Sequence, residues 1–179
     1  MSNTALLIID MQEGLFSDIE NPIFEKNRLL ETIGDLIEKA HSANAPVYFI
    51  QQWGKKGHVL EAGTSAWQIH HKLKPTDDDI IIHKHTPDSF HETKLQNELD
   101  AREIKKLVIT GIHTAYCVDT TCRRAYILGY DVVLVKDGHS TVDTDFLGAT
   151  KTIEHHNEVM GYRFADVIAA ADINFSEIV

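Results

Sequence analysis

The chain has 179 residues, enough for one domain whose core hides about 70% of the unfolded surface. Lys and Arg total 17 against 27 Asp and Glu, and the formal net charge of -10 argues against nucleic acid or an anionic membrane as partner. Two cysteines, Cys117 and Cys122, with no Cys-x-x-Cys exclude a disulfide scaffold and fit a reducing cytoplasm, and no basic leader or membrane-spanning apolar run follows Met1.

The first element is a buried strand, Ala5-Leu6-Leu7-Ile8-Ile9, ending in Asp10. A loop with Gly14, Leu15, Phe16 and Asn21-Pro22 follows. Leu29, Leu30, Ile33, Leu36, Ile37 and Ala40 then recur at helical period and predict an amphipathic helix over the sheet. Ala45-Pro46 stops it, and Val47-Tyr48-Phe49-Ile50-Gln51-Gln52 makes the second strand of a right-handed βαβ unit. Residues 53–76 hold Gly54, Gly57, Gly63 and Pro75, with Trp67, Ile69 and Leu73 spaced among them. They predict a long active-site loop containing a short helical piece.

Ile80-Ile81-Ile82-His83-Lys84 is a third strand, and Thr93-x-x-Gln96 predicts a capping box for a helix carrying Leu95 and Leu99. A fourth strand runs from Lys106 into Gly111. After a sharp turn bearing Cys117 comes a helix with Ala125, Ile127 and Leu128, stopped by Gly129. Tyr130-Asp131-Val132-Val133-Leu134-Val135 is the fifth strand, and Asp137-Gly138-His139-Ser140-Thr141 a polar turn. Phe146, Ala149, Ile153 and Met160 predict a last long helix closed by Gly161, and residues 164–179 a short edge strand. The alternation gives one α/β domain over 1–179, a three-layer, doubly wound, mostly parallel, Rossmann-like sheet.

In such sheets ligands bind beyond the carboxyl ends of the strands, so Asp10, Lys84 and Cys117 converge although far apart in sequence. Cys117 lies near a helix N-terminus, where free amides and the helix dipole favour an anion. A free cysteine is only about 3% thiolate at pH 7, and a depression of roughly two units would raise that to about three quarters. Asp10 would take the thiol proton and return it to the leaving amine, with the Lys84 ammonium stabilising both charges. Each residue also has an ordinary structural reading: a core cysteine, a turn-forming aspartate, a solvated lysine. Five helical positions turn Cys122 about 140° away from Cys117, which makes it structural.

Asp10-x-Gln12, Lys84 followed by Ser89-Phe90-x-x-Thr93-x-Leu95, and Gly111-x-x-Thr114-x-x-Cys117-Val118-x-x-Thr121 together resemble the isochorismatase-like cysteine hydrolases. That superfamily includes nicotinamidases, carbamoylsarcosine amidases and streptothricin hydrolases. The resemblance spans nearly the whole chain and assigns the same three roles. It further implies a cis peptide between Ile112 and His113, aiming the amides of His113 and Cys117 at an oxyanion. The implied activity is hydrolysis of a carbon–nitrogen bond in a small amide, imide or lactam through a Cys117 thioester. Vinyl-ether hydrolysis of isochorismate is the enzymatic alternative, and a non-catalytic binding or assembly module the other.

Phe16, Trp53, Trp67, Phe90 and Tyr116 are the aromatics expected around a small, partly apolar or planar substrate. Nicotinamidases of the superfamily hold a divalent metal on an Asp-x-His after the second strand. Here that place reads Gln51-Gln52-Trp53, so no metal and no other cofactor is expected, and nicotinamide is disfavoured. The long loop, with its exposed-looking tryptophans, predicts a symmetric homo-oligomer, a dimer or tetramer, whose interface includes that loop or the last helix.

Overall fold

A computed structural model describes residues 3–176. Six strands form one all-parallel sheet: β1 Thr4–Ile9, β2 Val47–Gln52, β3 Ile80–Lys84, β4 Lys106–Ile112, β5 Asp131–Ser140 and β6 Asp166–Ile168. Their spatial order is β3-β2-β1-β4-β5-β6, so the winding reverses between β1 and β4. That reversal opens a crevice at the strands' carboxyl ends, where β1 delivers Asp10 and β4 leads to Cys117.

β1 is buried along its whole length, as a central strand covered on both faces must be. Its side chains alternate between two cores. Leu6 and Ile8 join Ile33, Leu36 and Phe49 beneath α2 (Lys26–Ser42). Leu7 and Ile9 join Leu95, Leu99, Val118, Ala125 and Met160 beneath α3 (Leu95–Asp100), α4 (Asp119–Ile127) and α5 (Ala149–Arg163). These two cores make the three layers, and the carboxyl edge is left for polar groups. A four-residue helix within the loop after β1, α1 (Glu13–Phe16), precedes α2. Among the described residues no helix is long and apolar enough to cross a membrane.

Several boundaries differ from the sequence reading. Residues 53–79 join β2 to β3 with turns and no helix. They are instead pinned by bridges between Gln12 and Ile69 and between Gly54 and Glu61. The Thr93 hydroxyl donates to the Ser89 carbonyl at 2.7 Å and accepts the Leu95 amide at 3.2 Å. Lys94 therefore occupies the cap of α3, and Gln96 closes no capping box. β5 continues through the polar stretch to Ser140 because β4 slips its register between Ile109 and Gly111 and pairs again with His139 and Ser140. Gly161 lies inside α5, where the absent side chain lets Val167 of β6 approach. Phe146 lies outside that helix and is exposed. The edge strand of the tail is β6, and residues 177–179 lie outside the described residues.

Gly111 has φ +120°, and a Cβ there would be driven into the backbone of Ile9. Gly111→Ala should therefore destabilise the fold by about 3 kcal/mol or more, read as a shift in the denaturation midpoint. A loss under about 1 kcal/mol would contradict this account of the β1–β4 contact.

Candidate active site

Asp10 follows β1 in a left-handed turn, φ 53°, with its amide donating to the Ile50 carbonyl at 2.8 Å. Lys84 ends β3 and is the register partner of Gln52 on β2, so both side chains leave the sheet on one face. Lys84 is fully buried, and its ammonium spends all three donors: Asp10 Oδ2 at 2.8 Å, Gln52 Oε1 at 2.8 Å and Cys117 Sγ at 3.3 Å. Asp10 Oδ1 is buried without a hydrogen-bond partner among the described residues. The Cys117 thiol lies close enough to this carboxylate to feel its charge. Acid, ammonium and thiol thus meet as the sequence suggested.

Cys117 sits in a π-helical turn, Thr114–Val118, that runs into α4. The amides of Tyr116 and Val118 both return to the His113 carbonyl, at 3.0 and 3.3 Å, which wraps the turn around His113. The peptide joining Ile112 to His113 is cis. Two side-chain chains hold this turn. Thr114 Oγ1 donates to His139 Nδ1 at 2.9 Å, because His139 Nε2 is committed as donor to Asn157 Oδ1 at 3.0 Å. On the other flank the Ser89 and Thr121 hydroxyls share a hydrogen bond of 2.8 Å, tying α4 to the loop after Lys84.

Burial pushes the Cys117 thiol up to about 12; Asp10 pushes the same way and Lys84 only partly opposes it. The lowered pKa expected from the lysine and the helix end is therefore corrected: desolvation, together with the carboxylate, outweighs the ammonium. Cys117 rests as a thiol. His139, enclosed between β5 and α5, is pushed down to about 4 by burial and stays neutral. Burial also lowers His113, against the pull of Asp10.

The five aromatics separate. Phe16 is buried against His70, ring centroids 4.8 Å apart, and Phe90 is buried against Tyr130 at 5.8 Å. Both belong to the hydrophobic cores, because the segments bearing them fold inward onto those rings. Trp53 and Trp67 pack edge to face at 5.3 Å and share His83, which points to the face of β3 opposite Lys84. Tyr116, next to Cys117 and 56% exposed, is the aromatic on the turn itself.

Sequence reasoning missed Gln52 and the full role of Gln12. Gln12 is buried; its Oε1 accepts the Gln52 amide at 2.8 Å, while its Nε2 donates to the carbonyls of Gln52 at 3.1 Å and Trp67 at 2.8 Å. The rule that selected Asp10 and Lys84, a polar group ending a buried strand, applies equally to Gln52.

The metal that the resemblance associates with Asp-x-His does not fit here. Gln51 Nε2 donates to the Trp67 carbonyl at 2.8 Å and Trp53 packs on Trp67 at 5.3 Å, so a carboxamide and an indole stand where the carboxylate and imidazole would be. Among the described residues one cluster has metal-ligand types within reach, Glu13, His70 and His71. His71 Nδ1 lies 2.7 Å from Glu13 Oε1. His70 Nδ1 accepts the Lys72 amide at 3.3 Å, leaving its proton on Nε2, the nitrogen that faces Glu13 Oε2 at 3.9 Å.

Two measurements check these electrostatics. Iodoacetamide should alkylate Cys117 more slowly than free cysteine at about pH 7.5, with the rate still climbing above pH 9. Asp10→Asn removes a charge that holds the thiol up, so labelling should quicken, whereas Lys84→Met should slow it. Labelling of the unaltered protein as fast as free cysteine would contradict the raised pKa. For His139 the folded pKa is depressed, so its contribution to stability is complete above about pH 6.5 and falls as pH drops towards 4. The loss approaches about 3 kcal/mol. Denaturant titrations at about pH 7 and pH 4.5 should show a smaller acid loss in His139→Gln; equal losses would remove His139 from this role.

The Isochorismatase domain family model matches residues 4–172. Streptothricin hydrolase of Streptomyces noursei is 34% identical over 78% of this chain, which spans 50% of that protein's length. Nicotinamidase 3 of Arabidopsis thaliana is 31% identical over 82% of this chain and 77% of its own. A solved structure of an isochorismatase family protein superposes with a TM-score of 0.89 at 31% identity, covering 94% of this chain and 99% of the other. With the family model spanning almost all of the described residues, the chain belongs to the isochorismatase family and is a hydrolase.

Proposed function

We propose that the protein cleaves a carbon–nitrogen bond of a small amide, imide or lactam, with Cys117 as nucleophile. The observation that carries this reading is the buried ammonium of Lys84 in contact with both Asp10, at 2.8 Å, and Cys117, at 3.3 Å. Relatives named streptothricin hydrolase and nicotinamidase support the same bond class. Vinyl-ether hydrolysis has no use for a thiol held in this way.

With the thiol near 12, only about one molecule in 10^5 is thiolate at neutral pH, so the proton leaves as the sulfur attacks. Sγ bonds to the carbonyl carbon while Asp10 Oδ1, the acceptor without a partner, takes the proton. Lys84 keeps the carboxylate in place and balances the sulfur's developing charge. The tetrahedral oxyanion is received by the amides of His113 and Cys117. Its collapse breaks the carbon–nitrogen bond, and Asp10 returns the proton to the departing amine. Water then attacks the thioester, again giving its proton to Asp10. The acid product leaves, and the sulfur recovers the proton as a thiol. Every proton passes through Asp10, and no metal is required at any step.

Ammonia release from a panel of small amides tests this reading. Cys117→Ala and Cys117→Ser should abolish turnover, and Asp10→Asn should lower it by about 10^2 to 10^4. Cys122→Ser should retain it, since that sulfur is buried in the core under α4. A chelator should leave the rate unchanged. Equal loss from both cysteine positions, or no amide cleaved at all, would overturn the reading.

A further inference from the structure

The proton transfers use Asp10, Lys84 and Cys117 and make no demand on Gln52, yet Gln52 is held at nearly every polar atom. Its amide donates to Gln12 Oε1 at 2.8 Å. Its carbonyl accepts from Gln12 Nε2 at 3.1 Å and from Trp67 Nε1 at 3.0 Å. Its side-chain oxygen accepts from Lys84 at 2.8 Å. Among the described residues only Nε2 is left without a hydrogen-bond partner.

The orientation of that carboxamide is fixed by chemistry. An ammonium has donors and no acceptor, so the oxygen faces Lys84 and the nitrogen faces away. The same ammonium touches Cys117 Sγ, which puts Gln52 two polar contacts from the nucleophile. Gln52 is also partly open to solvent, unlike Lys84 beneath it. A rigid pair of N–H donors beside a nucleophile recognises an acceptor on whatever is attacked, and it opposes a second donor at that position.

We propose that Gln52 is the specificity-determining residue of this site. Its Nε2 selects amides that carry a second acceptor, a carbonyl oxygen or an unprotonated ring nitrogen, close to the scissile carbonyl. This deepens the hydrolase reading and rests on it. The favoured class is the 1,3-dicarbonyl amide or imide, in which one oxygen enters the oxyanion position while the other meets Gln52. Plain aliphatic amides and those bearing an ammonium in that place are disfavoured.

Acetoacetamide and butyramide have the same chain length and differ by one carbonyl oxygen. In Cys117→Ala protein, where neither is consumed, titration followed by NMR should show acetoacetamide binding about tenfold more tightly, the scale of one neutral hydrogen bond. Adding Gln52→Met, similar in length and without donors, should bring the ratio close to one. Because that variant loses a partner of Lys84 and could misfold, a second reading keeps Gln52 in place: its side-chain amide 1H–15N signals should shift with acetoacetamide and not with butyramide. A preference that survives Gln52→Met in folded protein, unmoved amide signals, or no binding of acetoacetamide would overturn the proposal. The two readings fail separately. Wild-type protein that releases ammonia without the preference counts against Gln52 alone; a Gln52-dependent preference without ammonia release from any amide counts against hydrolysis of amides.

Discussion

A lysine ammonium with no exposure to solvent is the constraint on which the rest of the site depends. Burying an unpaired charge of this kind costs several kcal/mol, so the structure has to supply Lys84 with acceptors. It does so from three directions: a carboxylate after β1, a carboxamide ending β2 and a sulfur from the turn after β4. No two of these come from the same element. The ammonium thus fixes the distances among groups that the chain brings from far apart, and removing any one partner leaves a buried charge for the other two to absorb.

The order of the sheet makes such a meeting possible. Strands β3, β2, β1 and β4 are consecutive neighbours, so their carboxyl ends form one short edge with Lys84, Gln52, Asp10 and the Cys117 turn along it. Much of this was legible in the sequence. Continuous apolar runs ended by a polar residue mark central parallel strands, and Asp10 and Lys84 stand at the ends of two such runs. What the pattern could not carry was the direction of loop side chains. Phe16 and Phe90 flank the motifs as closely as Tyr116 does, but His70 and Tyr130 offer them rings to pack on, and those partners are distant in sequence. The extent of β5 was hidden for a related reason. Asp137 and Gly138 have turn-forming composition and fall in the register slip opposite Thr110, after which His139 and Ser140 rejoin the ladder.

The sign of the Cys117 shift was the least legible quantity. Sequence supplies the neighbours, a lysine and a helix start, both of which favour a thiolate. The outcome depends on how deeply the sulfur is enclosed and on whether the carboxylate shares that enclosure, and both are matters of distance. A neutral thiol paired with an intact Asp10–Lys84 bridge also gives the resting site little net charge, which suits an enclosed crevice better than a thiolate beside a carboxylate would.

Gln12 has a consequence of another kind. Its carboxamide reads only main-chain groups: the amide and carbonyl of residue 52 and the carbonyl of residue 67. Gln12 therefore holds the backbone at those two positions by contacts that do not depend on which side chains stand there. The backbone that carries residues 52 and 67 is thus set apart from the side-chain contacts of Gln52 with Lys84 and of Trp67 with the Gln52 carbonyl. A substitution at either position forfeits those side-chain contacts and leaves the main-chain clamp in place, so the end of β2 and the loop at 67 stay joined.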